Sequence, residues 1–278
     1  MRRVPVRKHL NIAHLEELLK LVEEYVKSEP TKAWRPGKDH VHYAGPYFDN
    51  SEILRSINTL LDGWLVLGAE AYKAEKKLAS LFSKNHALLT NSGSSSNLLM
   101  MSALKSKRYL NLPEGTKVLT PIAGFPTTIN PIFQCGFKPV FVDISLDGLN
   151  LNLDDVEATL QADPEIKIIT FAHVLGNPPD MYRLMDIVDH YGLILLEDCC
   201  DALGLKDLQK IQVGSDSLGS VYNLQNSPLF PNNMGALICT NNYDLYSLLK
   251  MKRYLGLAKN SDKNSFQMLT NMFSNVDP

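Results

Sequence analysis

Short apolar runs alternate with helix-periodic segments from about residue 87 onward, and this alternation restricts the chain to very few folds. The runs fall at 87–89, 117–120, 139–142, 166–171, 193–196 and 236–239, each of strand length. Between most of them lie amphipathic stretches at 96–107, 127–135, 153–160 and 182–191, and a last one follows at 243–254. Strand and helix in turn predict an α/β protein, a three-layer α/β/α sandwich with a mainly parallel sheet. Ahead of it, residues 13–27 place Leu15, Leu18, Leu19, Val22 and Val26 at helical spacing. A stretch rich in Pro, Gly and His, 29–48, reads as an extended arm. Asn50 or Ser51 can cap a helix that carries Ile53, Leu54, Ile57 and Leu60, and another helix is expected over 69–82. The tail from Lys259 is polar and rich in Asn and Ser. The expected organisation is an N-terminal helix and arm over 1–49, the α/β domain over 50–258, and a short flexible tail over 259–278.

Composition narrows the function classes. Of 278 residues, 45% are hydrophobic and 21% charged, ordinary for a soluble globular protein. The net charge of −2 gives no field that would gather nucleic acid or an anionic membrane, so neither is an expected partner. The basic start (Arg2, Arg3, Arg7, Lys8) runs into an acidic amphipathic helix, not an apolar signal core. No apolar run approaches the roughly 20 residues of a membrane span, and a cytoplasmic location is expected. Cys135, Cys199, Cys200 and Cys239 form no CxxC pair and lie in or beside apolar segments. They predict buried reduced thiols. Cys199, Cys200 and His173 lack the usual ligand spacing, and no metal site is expected.

Ligands of open α/β sheets gather at the carboxyl ends of the strands, so the residues after each run are the candidates. The run 193–196 delivers Glu197 and Asp198 to that edge, with Cys199, Cys200 and Asp201 following. A carboxylate there is either simply solvated or holds a cationic ring nitrogen. Asn91-Ser92-Gly93-Ser94-Ser95-Ser96-Asn97 lies between a strand and a helix. It is either a serine-capped turn or a phosphate site made of hydroxyls and helix N-terminal amides. In the segment 120–128, Phe125 can stack on a planar ligand or merely pack, and the threonines can add hydroxyls to a phosphate. In 171–181, Asn177-Pro178 sets a turn and Asp180 is placed to cap the next helix. His173 there either touches a ligand or is a structural hydrogen-bonding residue.

The order of these segments resembles the large domain of the fold-type I enzymes that use pyridoxal phosphate (PLP). It is most similar to the DegT/StrS-type sugar aminotransferase family, and within it to the CDP-4-keto-6-deoxyglucose 3-dehydrase branch. LLDGWLVLG (60–68), TNSGSSSNLL (90–99), AGFPTTINP (123–131), AHVLGNP (172–178) and LEDCCDALG (196–204) carry the likeness, which spans roughly 60–255. The resemblance implies that Gly93, Ser94 and Ser95 bind the cofactor phosphate and that Phe125 stacks on the pyridine ring. Asp198 would pair with the ring nitrogen, and Asp201 would stand near the ring hydroxyl. His173 and Asn177 would face substrate, a nucleotide-linked keto-deoxysugar in cell-surface polysaccharide or lipopolysaccharide synthesis. It further implies self-association as a homodimer, or pairing with a full-length relative.

The chain also departs from the family. In its aminotransferases a strand leads into Ser-Phe-x-x-x-Lys and a Gly-rich turn, and the lysine forms the Schiff base. In its dehydrases a histidine stands there and acts as base on bound pyridoxamine phosphate (PMP) adducts. Anchored on Gly235-Ala236-Leu237, that position falls on or near Ser227, and 221–235, VYNLQNSPLFPNNMG, holds neither Lys nor His. Tyr222 takes the place of a phosphate-binding serine. Without the lysine the covalent nucleophile is missing. A neutral serine is a poor base at pH 7, a loss worth about 10²–10⁴ in rate. No cysteine follows Cys239, so no iron–sulfur cluster is expected, and the family's small C-terminal domain is expected to be largely absent. Two readings stay open: a divergent PLP- or PMP-dependent sugar-modifying protein, or a catalytically inactive homologue or truncated form that partners a full-length relative.

Overall fold

The structure is a computed structural model and describes residues 12–28, 33–41, 49–61, 63, 66–224 and 235–254. The strand-like runs all become strands: β1 (His86–Thr90), β2 (Lys117–Pro121), β3 (Lys138–Val142), β6 (Ile166–Ala172), β7 (Ile194–Asp198) and β9 (Ala236–Thr240). A small antiparallel pair, β4 (Ile144–Ser145) and β5 (Asn150–Leu151), and the sheet strand β8 (Gly219–Asn223) complete the set. The helices are α1 (Ile12–Ser28), α2 (Asn50–Leu61), α3 (Ala69–Leu81), α4 (Gly93–Leu104), α5 (Pro126–Gln134), α6 (Leu153–Ala162), α7 (Met181–Tyr191) and α8 (Tyr243–Arg253).

The main sheet has seven strands in the order β1-β9-β8-β7-β6-β2-β3. Only β9 runs against its neighbours; β2, β3, β6, β7 and β8 pair in parallel. Side-chain alternation splits the sheet into two dry faces. On one, Val118, Ile168, Leu196, Val221 and Ile238 pack under α4, α5 and α8. On the other, Leu119, Ile169, Phe171 and Leu195 pack under α6 and α7. This is the expected α/β/α sandwich, and each fully buried Leu or Ile contributes about 1.5–3 kcal/mol.

Local chemistry sets where elements begin. The Ser92 hydroxyl accepts the Ser95 amide at 3.1 Å, so α4 starts at Gly93, three residues earlier than periodicity predicts. Asp180 caps α7 as expected, and Gly192 closes it in the left-handed conformation. The cap of α2 is Asp49 rather than Asn50 or Ser51. Its carboxylate accepts the Ser51 amide, and Glu52 reaches back to the Asp49 amide, a reciprocal box.

Both sheet edges are blunted. On β3 the Lys138 amide bonds inward to Thr116, so Pro139 faces outward, where it offers no donor. On β1 the outward Leu89 amide donates to Glu75 Oε1 at 2.9 Å, and Arg253 Nη1 donates to the Leu89 carbonyl at 2.8 Å. Glu75 and Arg253 are themselves ion-paired and almost wholly buried.

The chain divides into two units, residues 1–74 with 225–233, and 75–224 with 234–278. In the first, α1 and α2 lie against each other, and a turn at 35–39 is closed by the Arg35–Asp39 ion pair. The remainder of the expected arm (29–32 and 42–48), the tail and the Ser227 segment lie outside the described residues. Among those described, no helix is long and apolar enough to cross a membrane.

Candidate cofactor site

The parallel strands end along one edge of the second unit, and most of the sequence candidates fall there. Asp198 closes β7 on the α4/α5 face and is 4% exposed. Its Oδ2 accepts from Asn97 Nδ2 of α4 at 2.7 Å and from Thr128 Oγ1 of α5 at 2.6 Å. Its Oδ1 accepts the Cys200 amide at 3.1 Å. The Cys200 thiol also hydrogen-bonds this carboxylate, so Asp198 is held on every side by neutral donors while it keeps its negative charge.

One helical turn, about 5.4 Å, separates Asn97 from the start of α4. There Ser92 takes the Ser95 amide and leaves the amides of Gly93 and Ser94, at the positive end of the helix dipole. Gly93 is needed for packing, since a Cβ there would stand 2.8 Å from Cys200 Sγ. Phe125 is the residue before α5 and is 64% exposed, its backbone extended and held by Pro126 at the first helical position. Thr128, expected at a phosphate, instead serves Asp198.

His173 and Asn177 part company. Asn177 is exposed, and its carbonyl accepts from Asn150 Nδ2 at 2.6 Å. His173 is fully buried, with Nε2 2.8 Å from Glu197 Oε2, so its ring does not reach an open surface. Strand parity explains this. Ile169, Phe171 and His173 share the face of Leu195, Glu197 and Cys199, opposite to Asp198. Asp201 lies at the rim and accepts the Leu175 amide at 3.3 Å, in a turn where Leu175 has a positive φ of 55°. Tyr222 is turned away as well. It is fully buried, stacked on Phe82 at 4.1 Å, and its hydroxyl donates to the Val213 carbonyl at 2.6 Å.

The same parity gathers His173, Glu197 and Cys199 with possible ligand atoms within 4.8 Å of one another, and Cys200 is not of this group. Burial, with the Glu197 and Asp198 charges, pushes the Cys199 thiol well up, so it stands as a neutral thiol. Burial also pushes the Glu197 carboxyl up, but it is outweighed. Hydrogen bonds from His173 and Ser217 and the charges of His173 and Lys84 hold it below the ordinary value. Lys84 is itself buried, its ammonium donating to the Ser217 carbonyl at 2.7 Å, and burial lowers its pKa. A carboxylate whose folded pKa is depressed stabilises the fold above its unfolded value, about 4.3, and loses that contribution as pH falls through the folded value. Urea midpoints measured from pH 7 to 3 are therefore expected to fall more steeply on the acid side for the unsubstituted chain than for Glu197→Gln. Equal slopes would refute the assignment.

The donor set fits a phosphate ester of a protonated aromatic ring: amides at a helix N-terminus, an exposed aromatic side chain, and a carboxylate with no cationic partner among the described residues. Comparison with known proteins decides the kinship, because the model of the DegT/DnrJ/EryC1/StrS aminotransferase family matches residues 47–275. The chain belongs to that family. Its sequence is 38% identical over 192 residues to the lipopolysaccharide biosynthesis protein RfbH of Salmonella typhimurium, covering 68% of this chain and 44% of that one. It is 34% identical over 191 residues to the dTDP-4-dehydro-2,6-dideoxy-D-glucose 3-dehydratase of Saccharopolyspora spinosa, covering 68% and 41%. The chain thus spans less than half the length of these two relatives. Among solved structures, the Escherichia coli GDP-4-keto-6-deoxy-D-mannose 3-dehydratase with bound hydrated PLP matches with a TM-score of 0.70. Its identity is 27%, over 81% of this chain and 59% of that one. The architecture of this family member is therefore the α/β sandwich of fold-type I.

Proposed function

We propose that this family member binds PLP or PMP at the edge formed by α4, α5 and β7. We further propose that it serves the modification of nucleotide-linked keto-deoxysugars in cell-surface polysaccharide or lipopolysaccharide synthesis. The observation that carries the reading is the convergence of α4 and α5 on Asp198, with the N-terminal amides of α4 and Phe125 at the same edge. The 3-dehydratase names of its relatives support the substrate class. A cytoplasmic location and self-association, as a homodimer or with a full-length relative, belong to the same proposal.

Bound cofactor supplies an electron sink for the pair released when a bond at the sugar carbon breaks. The protein's part is positional. The amides of Gly93 and Ser94, with the Ser94 and Ser95 hydroxyls, hold the phosphate dianion at the helix N-terminus. Phe125 covers one face of the ring and excludes water from it. Asp198 holds the proton on the ring nitrogen, and Asp201, at the rim, stands near the ring hydroxyl. The segment around Ser227 offers neither amine nor imidazole, so proton removal from substrate is expected to be about 10²–10⁴ slower than with a dedicated base.

That same segment favours a second reading, a chain that keeps the cofactor fold but acts through a catalytic relative. Incubation of the purified protein with PMP and a CDP-linked 4-keto-6-deoxysugar separates the two. Sugar consumed above a boiled control supports a slow sugar-modifying enzyme. Bound PMP with no consumption supports the silent partner and overturns independent catalysis.

A further inference from the structure

We propose that Asn97 and Thr128 are positioning residues for Asp198, which orient its carboxylate without neutralising it and so couple the phosphate turn to the ring turn. The inference deepens the cofactor reading above and rests on it. The two side chains arise within the first turn or so of the two helices whose starts carry the proposed phosphate and ring contacts. Asn97 lies below Gly93, and Thr128 lies just past Phe125. They are 6% and 4% exposed, and both donate to the same oxygen, Oδ2 of Asp198.

Each side chain had a local alternative. A threonine in a helix can bond back to its own preceding turn, and an asparagine within a helix is unfavourable unless a partner outside compensates. Both instead reach across 70 and 101 residues of sequence to one carboxylate. The chemical type of the donors is the informative part. An amide, a hydroxyl, the Cys200 backbone N–H and the Cys200 thiol, whose pKa is raised by burial and the Asp198 charge, are all neutral, and among the described residues no Lys, Arg or His forms an ion pair with the Asp198 side chain. Neutral donors fix the angle of a carboxylate while its charge remains available to a cationic ring nitrogen; a lysine or arginine in the same place would cancel it. Because the donors come from both helices, a displacement of either turn moves Asp198 with it.

The test compares Thr128→Val, which removes the hydroxyl at nearly constant shape, Asn97→Leu as an independent probe, and Thr128→Ser as the conservative control. PLP and PMP affinities are measured by calorimetry, and the absorbance of bound PLP is followed through a pH titration. Thr128→Val and Asn97→Leu are each expected to weaken both cofactor forms about ten- to a hundredfold, the range for a lost hydrogen bond to a charged group. They are also expected to move the pH at which the bound chromophore changes, and Thr128→Ser is expected to restore both properties. The two losses are expected to be non-additive, since they share one oxygen. Folded variants that bind as the unsubstituted chain does, with the same spectrum and pH response, would overturn the inference alone. Failure of the unsubstituted chain to bind either form would overturn the cofactor reading and the inference with it. If one variant does not fold, the other carries the decision, and lower thermal stability with unchanged spectrum and affinity counts against a positioning role.

Discussion

Asp198→Ala is expected to weaken PLP and PMP binding by at least a hundredfold and to lower folding stability by at least about 2 kcal/mol. The first effect would follow from the proposed charge-assisted bond between Asp198 and the ring nitrogen. The second follows from what stays behind. Asn97 Nδ2, Thr128 Oγ1 and the Cys200 amide lose their shared acceptor in a site that is almost fully buried. Each stranded donor costs about 1–3 kcal/mol unless water reaches it. Calorimetric titration and urea unfolding of the same preparation read both effects. A variant that binds cofactor normally would remove Asp198 from the site, and one with unchanged stability would show that the three donors find other partners.

Glu75→Ala is expected to have the largest effect on stability, about 3–5 kcal/mol, because it leaves a buried guanidinium uncompensated. Glu75 and Arg253 have side chains only 6% and 8% exposed. Glu75 also satisfies the Leu89 amide on the edge strand β1, so its removal strands a backbone donor as well. Arg253 would keep the Leu89 carbonyl, while its Nε and Nη2 already lack partners. The exposed Lys20–Glu24 pair is the control, since an ion pair with side chains 77% and 62% exposed is worth about 0–1 kcal/mol. Replacing Glu75 and Arg253 together, by leucine and methionine, is expected to recover part of the loss. Urea midpoints of the single and double variants check this. A loss below about 1 kcal/mol for Glu75→Ala would mean that the pair is solvated in solution.

The backbone plan was largely legible in the sequence. Strand-like runs of three to six residues between helical stretches located most of the strands, and the residues just after them located the candidate site at the carboxyl edge. In the main sheet β8 was the miss, since Gly219-Ser220 opens it with a flexible glycine and a small polar residue and it has no apolar run of its own; the two-residue strands β4 and β5 are too short to leave a run at all. The side-chain partnerships were not legible, because they join residues far apart in the chain. Nothing near Asn97 or Thr128 signals Asp198, and nothing near Glu75 signals Arg253, 178 residues away. Lys84 illustrates the same limit, as a lysine after a surface helix reads as solvated yet lies buried beside Ser217. One signal was available for His173. Counting by twos along β6 and β7 places it on the face of Glu197 and opposite to Asp198, which already separates it from the cofactor edge.

The central claim is that a phosphate-bearing pyridine cofactor sits between the start of α4 and Asp198, and titration of the unsubstituted protein tests it most directly. PLP, PMP and their phosphate-free counterparts pyridoxal and pyridoxamine are added in turn, with heat and absorbance recorded together. Saturable micromolar binding of PLP or PMP is expected, at one site per chain, with much weaker binding of the phosphate-free forms. No binding, or binding that is indifferent to the phosphate, would contradict it.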